Sequence, residues 1–330
     1  MMPTIEDVAK LAGLSPATIS RVINNHPYVS QEKKDLVFKA MKELGYVPNS
    51  NAQRLRKQKT ETIAVLIERI ANPFFSQLVE SMDIIANENG YKLLICQTNN
   101  DKRKELEYLN LLKTKQIDAL IFASIESEWS VVENFLQYGP IVFCNDFAES
   151  ASVPIIYLDQ YRSAYTGTKH LIDKGYTKLS YCGGSKLTCL GRDRKNGFMS
   201  AVEEAGLNIL DQWWFKDALT IEDGKQILRK ISVMDNPPDA IFTGSDEVAA
   251  GMIKEAKSCG IKVPGDLAVM GFDNQPIAEL MEPGITTICQ PVKQMGIQTM
   301  DVMIDLLVNK RKLEHRFIQI PFHLVVREST

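Results

Sequence analysis

Short apolar runs alternate with longer amphipathic stretches throughout the chain from Thr62 onwards. Helical patterns separate the runs, for example at residues 162–174 and 247–259. This alternation is typical of parallel βαβ units, because a parallel strand needs a long crossover before the next strand begins. The runs fall into two series, which predict two similar α/β lobes: 63–67, 92–96, 119–122 and 141–143, then 178–182, 240–242 and 267–270.

Length and composition favour a folded protein of more than one unit. The chain has 330 residues, of which 45% are hydrophobic and 24% charged, so one small and one large unit can each bury a core. No stretch is apolar enough to span a bilayer, and the first residues lack the basic-then-apolar pattern of a signal peptide. We therefore expect a cytoplasmic protein with no membrane association.

The spacing of cysteine and histidine argues against a metal site. The six cysteines lack the short paired spacing of a metal cage or redox motif, and the four histidines have no metal-ligand spacing. We expect reduced, mostly buried cysteines, no metal and no cofactor. Signatures of phosphate loops, dinucleotide-binding loops and nucleophile elbows are also absent from the sequence.

Charge divides the chain into a basic start and an acidic remainder. Residues 1–60 hold ten Lys/Arg and five Asp/Glu, which leaves a net charge of +5 there and −8 in the rest. Lys and Arg displace the counterions condensed on nucleic acid, so a basic end on an acidic protein suits phosphate binding. Basic ends are common, and this feature alone does not decide the function.

The basic start predicts three helices within fifty residues. Thr4 and Asp7 form a capping-box pair before a helix that ends at Gly13, and Ser15-Pro16 opens a second helix that reaches about Asn24. A third helix follows Ser30 and stops at Gly45. Ile19, Val22 and Ile23 make the buried face of the second helix, which turns Pro16, Ala17, Ser20 and Arg21 outward together. The three-helix pattern by itself is equally consistent with a plain helical bundle and with a DNA-binding headpiece.

The amino-acid sequence of this segment is more specific than its helical pattern. Residues 4–15, TIEDVAKLAGLS, and residues 18–25, TISRVINN, closely resemble the lactose-repressor/galactose-repressor family of bacterial transcription regulators. The resemblance implies a helix-turn-helix DNA-binding headpiece at residues 1–48, a hinge helix and linker at 49–60, and an effector-binding and dimerisation core at 61–330. Double-stranded DNA with a palindromic operator is the implied partner of a homodimer.

Individual DNA contacts follow from the outward face and the resemblance. Pro16 and Ala17 are expected at base edges, Arg21 at a guanine, and the hydroxyl and amide side chains at phosphates. In the hinge, Leu55 is expected to push between central base pairs from the minor groove; the competing interpretation is a solvated basic linker. The complete expected set is Thr4, Ser15, Pro16, Ala17, Thr18, Ser20, Arg21, Asn24, Asn49, Ala52 and Leu55.

The remainder resembles the periplasmic sugar-binding-protein fold that this family carries as its core. The resemblance implies an N-lobe of about 61–159 and 291–320 and a C-lobe of about 160–290 and 321–330, with the ligand in the cleft at the carboxyl ends of the strands. The expected cleft residues are Asn72, Phe74, Phe75, Asp146, Arg194, Ser245, Asp273 and Gln290. A core role for Phe75 and a helix-capping role for either aspartate are the competing interpretations. Leu219 stands where several relatives have a second aromatic wall.

These features predict a sequence-specific transcription regulator that is controlled by a sugar or related metabolite. The resemblance favours a repressor, because repression is the commoner activity in that family. A catabolite-type regulator whose core answers to a partner protein is the alternative inside the family. An α/β enzyme is a remote alternative, since carboxylates in a cleft can act as acid and base. An exported binding protein would need a signal peptide and no basic headpiece.

Overall fold

The computed structural model describes residues 3–24, 26–47, 59–148, 150–183, 188–309 and 317–330. The chain forms two compact units, Met1–Lys59 and Thr60–Thr330. The first is helical and the second has two α/β lobes with largely parallel sheets, which confirms the predicted fold class. The expected hinge residues Asn49, Ala52 and Leu55 lie outside the described residues.

The helical unit has a small core built from one face of each helix. Its helices are Ile5–Ala12, Pro16–Ile23 and Gln31–Leu44. The Thr4 hydroxyl accepts from the Asp7 backbone, and the Asp7 carboxylate accepts from the Thr4 backbone, so the capping box is complete. Gly13 ends the first helix with a φ of 66°, a left-handed conformation that glycine adopts without strain. The fully buried side chains are Val8, Ala9, Ile19, Val22, Val37 and Ala40.

The large unit contains twelve strands in its described residues. In chain order they are β1 (Thr62–Ile67), β2 (Lys92–Gln97), β3 (Ala119–Phe122), β4 (Ile141–Cys144), β5 (Ile155–Leu158), β6 (Leu179–Cys182), β7 (Trp214–Phe215), β8 (Ala240–Thr243), β9 (Ala268–Asp273), β10 (Thr286–Cys289), β11 (Phe317–Ile320) and β12 (His323–Val325). The helices between them are Pro73–Glu88, Lys102–Lys113, Trp129–Val132, Gln160–Asp173, Cys189–Glu204, Ile221–Ile231, Asp246–Ser258, Pro276–Leu280 and Val292–Ile304. Short 3-10 turns at Glu133–Phe135 and Asp211–Trp213 and a π-helical turn at Asp305–Asn309 complete the set.

Each lobe is a six-stranded sheet between helices. The N-lobe sheet has the order β11-β5-β4-β3-β1-β2 and is parallel throughout. The C-lobe sheet has the order β12-β10-β9-β8-β6-β7, and only β12 runs antiparallel. Apolar clusters fill both faces of each sheet, as expected for parallel strands covered on two sides.

The chain passes between the lobes three times. It leaves the N-lobe after β5, returns after β10, and crosses again between β11 and β12. Because each lobe contains strands from distant parts of the chain, the residues after the strands meet only in the folded unit.

No helix in the described residues is long and apolar enough to cross a membrane. All six cysteines are free thiols. Only three of them are buried, namely Cys96, Cys144 and Cys182, whereas most of the six were expected to be buried from the sequence.

Candidate functional site

A cleft between the two lobes lies at the carboxyl ends of the strands. It encloses about 180 Å³, a space suited to a small molecule. Residues after β1, β3 and β4 line one side, and residues after β6, β8, β9 and β10 line the other. All the expected cleft residues lie on this lining: Asn72, Phe74, Phe75, Asp146, Arg194, Ser245, Asp273 and Gln290.

Arg194 lies in the helix Cys189–Glu204 and is held rigidly by the C-lobe. Its Nε donates to the Gln160 Oε1 oxygen at 2.7 Å and its Nη1 to the Gly244 carbonyl at 3.1 Å. The guanidinium carbon lies 3.5 Å from the centre of the Phe272 ring. Burial lowers the pKa of Arg194, and the charge of Asp273 opposes that effect. The planar fork is therefore oriented before any ligand arrives.

Asp273 closes β9 at the floor of the cleft. Its carboxylate accepts from Gln290 Nε2 at 2.5 Å and from Gln275 Nε2 at 3.2 Å. Burial raises the pKa of Asp273, while Arg194 and the two amides act in the other direction. Its φ of 101° is in the left-handed region, which costs a non-glycine residue about 1–3 kcal/mol and is typical of functional sites.

Asp146 follows β4 on the opposite side of the cleft. It is only 5% exposed, and its Oδ1 accepts from the Phe147 backbone at 3.0 Å. Burial raises the pKa of Asp146 to about 7. The preceding residue, Asn145, has a φ of 75°, a second left-handed position at the cleft.

Asn72 connects the lobes at the start of the helix Pro73–Glu88. Its Oδ1 accepts from the Phe74 backbone at 2.9 Å, which caps the helix, and from Gln275 Nε2 in the C-lobe at 3.3 Å. Phe74 and Phe75 line the cleft and also belong to the N-lobe core. Each side chain therefore lies at the expected cleft position and packs in the core as well. Ser245 likewise lines the cleft while its hydroxyl caps the helix Asp246–Ser258.

The helical unit presents its expected contact residues on its surface. Thr4, Ser15, Pro16, Ala17, Arg21 and Asn24 are exposed, and Thr18 and Ser20 are half-buried. Ser15 caps the second helix through its bond from the Thr18 backbone, 3.2 Å long. Asn24 donates to the Ser20 carbonyl at 2.6 Å. Ile19 and Val22 are buried, so the opposite face of the second helix is turned to solvent. That face carries Pro16, Ala17, Ser20 and Arg21.

Comparison with known proteins identifies both units. Residues 4–49 match the family described as bacterial regulatory proteins, lacI family, and residues 168–330 match the periplasmic binding protein-like domain. The NTD biosynthesis operon regulator NtdR of Bacillus subtilis is 44% identical over 100% of both chains. This chain belongs to the LacI family. The relatives are named as transcriptional regulators, so this LacI-family protein is a transcriptional regulator with a DNA-binding domain and is not an enzyme.

Solved structures agree with this LacI-family assignment. The transcriptional regulator CelR–cellobiose complex is 26% identical, has a TM-score of 0.73, and covers 99% of this chain and 100% of its own. The lac repressor dimer bound to operator and the anti-inducer ONPF has a TM-score of 0.86 and covers 100% of this chain and 99% of its own. At 22% identity, the second match shows the shared fold alone.

Several lining residues of this LacI-family cleft were not predicted from the sequence. They are Glu68, Asn100, Ser124, Glu126, Asn145, Tyr181, Thr188 and Leu190. Glu68, Ser124 and Asn145 each follow a strand closely, so a systematic search of strand ends would have found them. Leu219 also lines the cleft, whereas Trp213 and Trp214 pack elsewhere in the C-lobe.

Proposed function

We propose that this regulator acts in the cytoplasm as a homodimer that binds a palindromic operator and represses transcription under the control of a sugar or related metabolite. One observation carries the proposal. On a chain with a LacI-type headpiece, one cleft between two lobes brings together amide, carboxylate, guanidinium and aromatic side chains from both sides. Such a lining recognises a small polar molecule by hydrogen bonds and ring contacts.

The effector contacts we propose are Asn72, Phe74 and Phe75 from one side and Arg194, Ser245, Asp273 and Gln290 from the other, with Asp146 at the end of β4. Amide and carboxylate groups accept from hydroxyls, and the Arg194 fork donates to them. The structure of CelR, a relative in fold and sequence, holds cellobiose, which supports a sugar-like effector for this chain.

On DNA, we propose that Arg21, Pro16 and Ala17 meet base edges. Thr4, Ser15, Thr18, Ser20 and Asn24 would contact phosphates, and Asn49, Ala52 and Leu55 of the hinge would lie against the minor groove. A single headpiece reads too few base pairs to be selective, which is why a dimer on a palindrome is part of the proposal.

Control would come from the relative position of the lobes. A ligand that contacts both sides of the cleft favours the arrangement in which those sides are close. Because the segment before β1 joins the hinge to the N-lobe, a change in lobe position would alter how two hinges meet on DNA.

The test begins with selection of bound sequences from fragmented genomic DNA at about 0.15 M salt, where bare charge attraction is reduced. A palindrome is expected, and fluorescence anisotropy on it should then change when a panel of sugars and metabolites is added to the purified protein. Absence of any enriched sequence from folded protein would contradict the proposal. A response that appears only when a second protein is added would replace the small-molecule effector by the partner-protein alternative.

A further inference from the structure

A second cavity of about 300 Å³ adjoins the cleft where β3 and β4 end. Both lobes form it, through the segments after these strands and through the start of the helix Cys189–Glu204. We call it the outer cavity; Trp129 and Phe147 line it and do not line the cleft. The two spaces are direct neighbours, because four residues line both of them: Ile125, Glu126, Asp146 and Thr188.

The cleft by itself has room for about one sugar ring. Its volume of about 180 Å³ equals that of about six water molecules at about 30 Å³ each, which is close to the volume of one hexose. Pockets for small molecules generally measure about 300–1,000 Å³, and the cleft reaches that range only together with the outer cavity. A second ring of an effector therefore has a place beside the first.

The wall of the outer cavity has the chemistry that a sugar ring needs. Trp129 and Phe147 are half-buried and are supported from behind by other rings, with 6.2 Å between the ring centres of Trp129 and Phe143 and 6.2 Å between those of Phe147 and Tyr157. Such fixed aromatic rings pack against the apolar C–H face of a sugar. Ser127 adds a hydroxyl group to the same wall, which suits the hydroxyls at the edge of a sugar.

A buried carboxylate holds this wall in place. Glu105, in the helix Lys102–Lys113, is 0% exposed, and its carboxylate accepts from the backbone nitrogens of Glu126 at 2.8 Å and of Ser127 at 2.9 Å. Burying a carboxylate is costly unless hydrogen bonds compensate it, and here both bonds go to the segment between β3 and Trp129. The wall is thus ordered before a ligand arrives, which lowers the entropy cost of binding.

The cleft offers hydrogen-bond acceptors to the first ring. Gln290 Oε1 and Ser124 Oγ have no hydrogen-bond partner among the described residues, and the two side chains are only 4% and 9% exposed. The amide nitrogen of Gln290 already donates to Asp273, so its oxygen is left to accept from a ligand hydroxyl. Ser124 directly precedes Ile125 of the shared wall, so the first ring is placed next to the outer cavity.

We propose that the outer cavity is a second subsite of the cleft and that the effector is a disaccharide. One ring would lie among Arg194, Ser124 and Gln290, and the other against Trp129 and Phe147. This inference rests on the proposed function and specifies the size of the sugar. A disaccharide touches both lobes in the cleft and again in the outer cavity, so it favours the closed arrangement more strongly than a single hexose does.

The first experiment compares matched sugars by calorimetry on the full-length wild-type protein. Cellobiose, maltose, trehalose, sucrose, lactose and melibiose are each tested beside the hexoses that compose them. At least one disaccharide should bind about tenfold to a hundredfold more tightly than either of its hexoses, because the second ring adds contacts without a second loss of translational freedom. Failure of every disaccharide to bind at about 10 mM, or a hexose that binds as tightly as its best disaccharide, overturns the inference.

A second experiment places the second ring in the outer cavity. Trp129→Leu should reduce the ratio of disaccharide to hexose affinity to about one. Trp214→Leu is the matched control and should retain the ratio of the wild type, since Trp214 lies on the lining of neither space. A ratio that persists in Trp129→Leu overturns the assignment of the second ring to this wall.

Fluorescence provides a measurement that does not depend on the folding of Trp129→Leu. The double variant Trp213→Phe/Trp214→Phe keeps Trp129 as the one tryptophan of the chain. A saturating disaccharide should shield Trp129 from quenching by acrylamide, and a saturating hexose should not. Equal quenching of Trp129 with and without bound disaccharide overturns the inference.

Operator binding, measured in parallel, separates the two proposals. Wild-type protein that binds its palindrome and responds to a hexose as strongly as to any disaccharide retains the proposed function and loses this inference. Protein that binds a disaccharide in both spaces but enriches no DNA sequence retains the inference about the ligand and loses the proposed function.

Discussion

Arg69 of the N-lobe donates a hydrogen bond to the backbone carbonyl of Leu219 in the C-lobe, with 3.0 Å between its Nη2 nitrogen and the oxygen. The same nitrogen lies 3.6 Å from the Glu247 carboxylate, also in the C-lobe. Both contacts exist only while the lobes are close, so Arg69 stabilises this arrangement.

Arg69→Ala should weaken effector binding by about three- to tenfold, because the closed arrangement loses a charge-assisted hydrogen bond that solvent partly screens. Calorimetry with the identified effector measures the loss. Arg103→Ala is the matched control, since Arg103 pairs locally with Asp101 inside the N-lobe. Equal losses in both variants would show that the contact across the lobes has no special role.

Arg194→Lys should lower the free energy of unfolding by about 1–3 kcal/mol and the effector affinity by at least about tenfold. A lysine cannot donate to Gln160 and Gly244 together, nor lie flat on the Phe272 ring. Denaturant unfolding and calorimetry provide the two values. Arg192→Lys, on the exposed side of the same helix, should change neither value. Wild-type stability and affinity of Arg194→Lys would show that the guanidinium fork is not required for either.

Asp146 should make stability depend on pH. The pKa of this carboxyl is about 7 in the folded protein and about 3.8 as its ordinary value, so the folded state binds more protons between these values. Stability therefore falls as pH rises from about 4 to about 7. Relative to Asp146→Asn, the wild type should lose about 2–3 kcal/mol between about pH 5 and about pH 8. Parallel unfolding curves at both pH values would be the contrary result.

Gly197 lies where two C-lobe helices touch. A Cβ atom at this position would be 2.0 Å from the Tyr161 carbonyl oxygen, so Gly197→Ala must separate the helices Gln160–Asp173 and Cys189–Glu204. We expect a destabilisation of about 2–4 kcal/mol, measured by thermal unfolding. Gly265→Ala is the control, because the nearest atom there is 3.4 Å away. Similar melting temperatures for the two variants would refute this account of the packing.

Arg21→Ala tests the DNA face of the second headpiece helix. If Arg21 reads a base, the variant should lose about 1–3 kcal/mol of operator binding and accept other bases at one position of each half-site. Repeated sequence selection with the variant reveals the position. Lys10→Ala, at an exposed basic residue of the first helix, should at most weaken binding to all sequences alike. A uniform loss with Arg21→Ala would place Arg21 at a phosphate.

The elements with strong local signals were predicted closely. The headpiece helices begin and end within a residue or two of expectation, because Thr4, Ser15, Gly13 and Gly45 act on backbone groups next to them in the chain. The apolar runs became β1 to β4, β6, β8 and β9. Five strands had no predicted run: β5, β7, β10, β11 and β12. They are two to four residues long, and β7, β11 and β12 lie at sheet edges, so pairing with a distant neighbour decides their conformation.

The sequence by itself determined the family, the helical headpiece and the α/β class, since capping, helical periodicity and apolar runs act over a few residues. Only the tertiary structure decided which polar groups meet. Gln160 and Arg194 are 34 residues apart, and Asn72 and Gln275 are 203 apart, yet each pair is joined by a hydrogen bond. Such pairs form only after three chain crossings have brought distant strand ends together, and burial in the assembled cleft raises the pKa of both Asp146 and Asp273. No local pattern encodes these contacts or these pKa shifts, because desolvation and charge interactions are properties of the folded cleft.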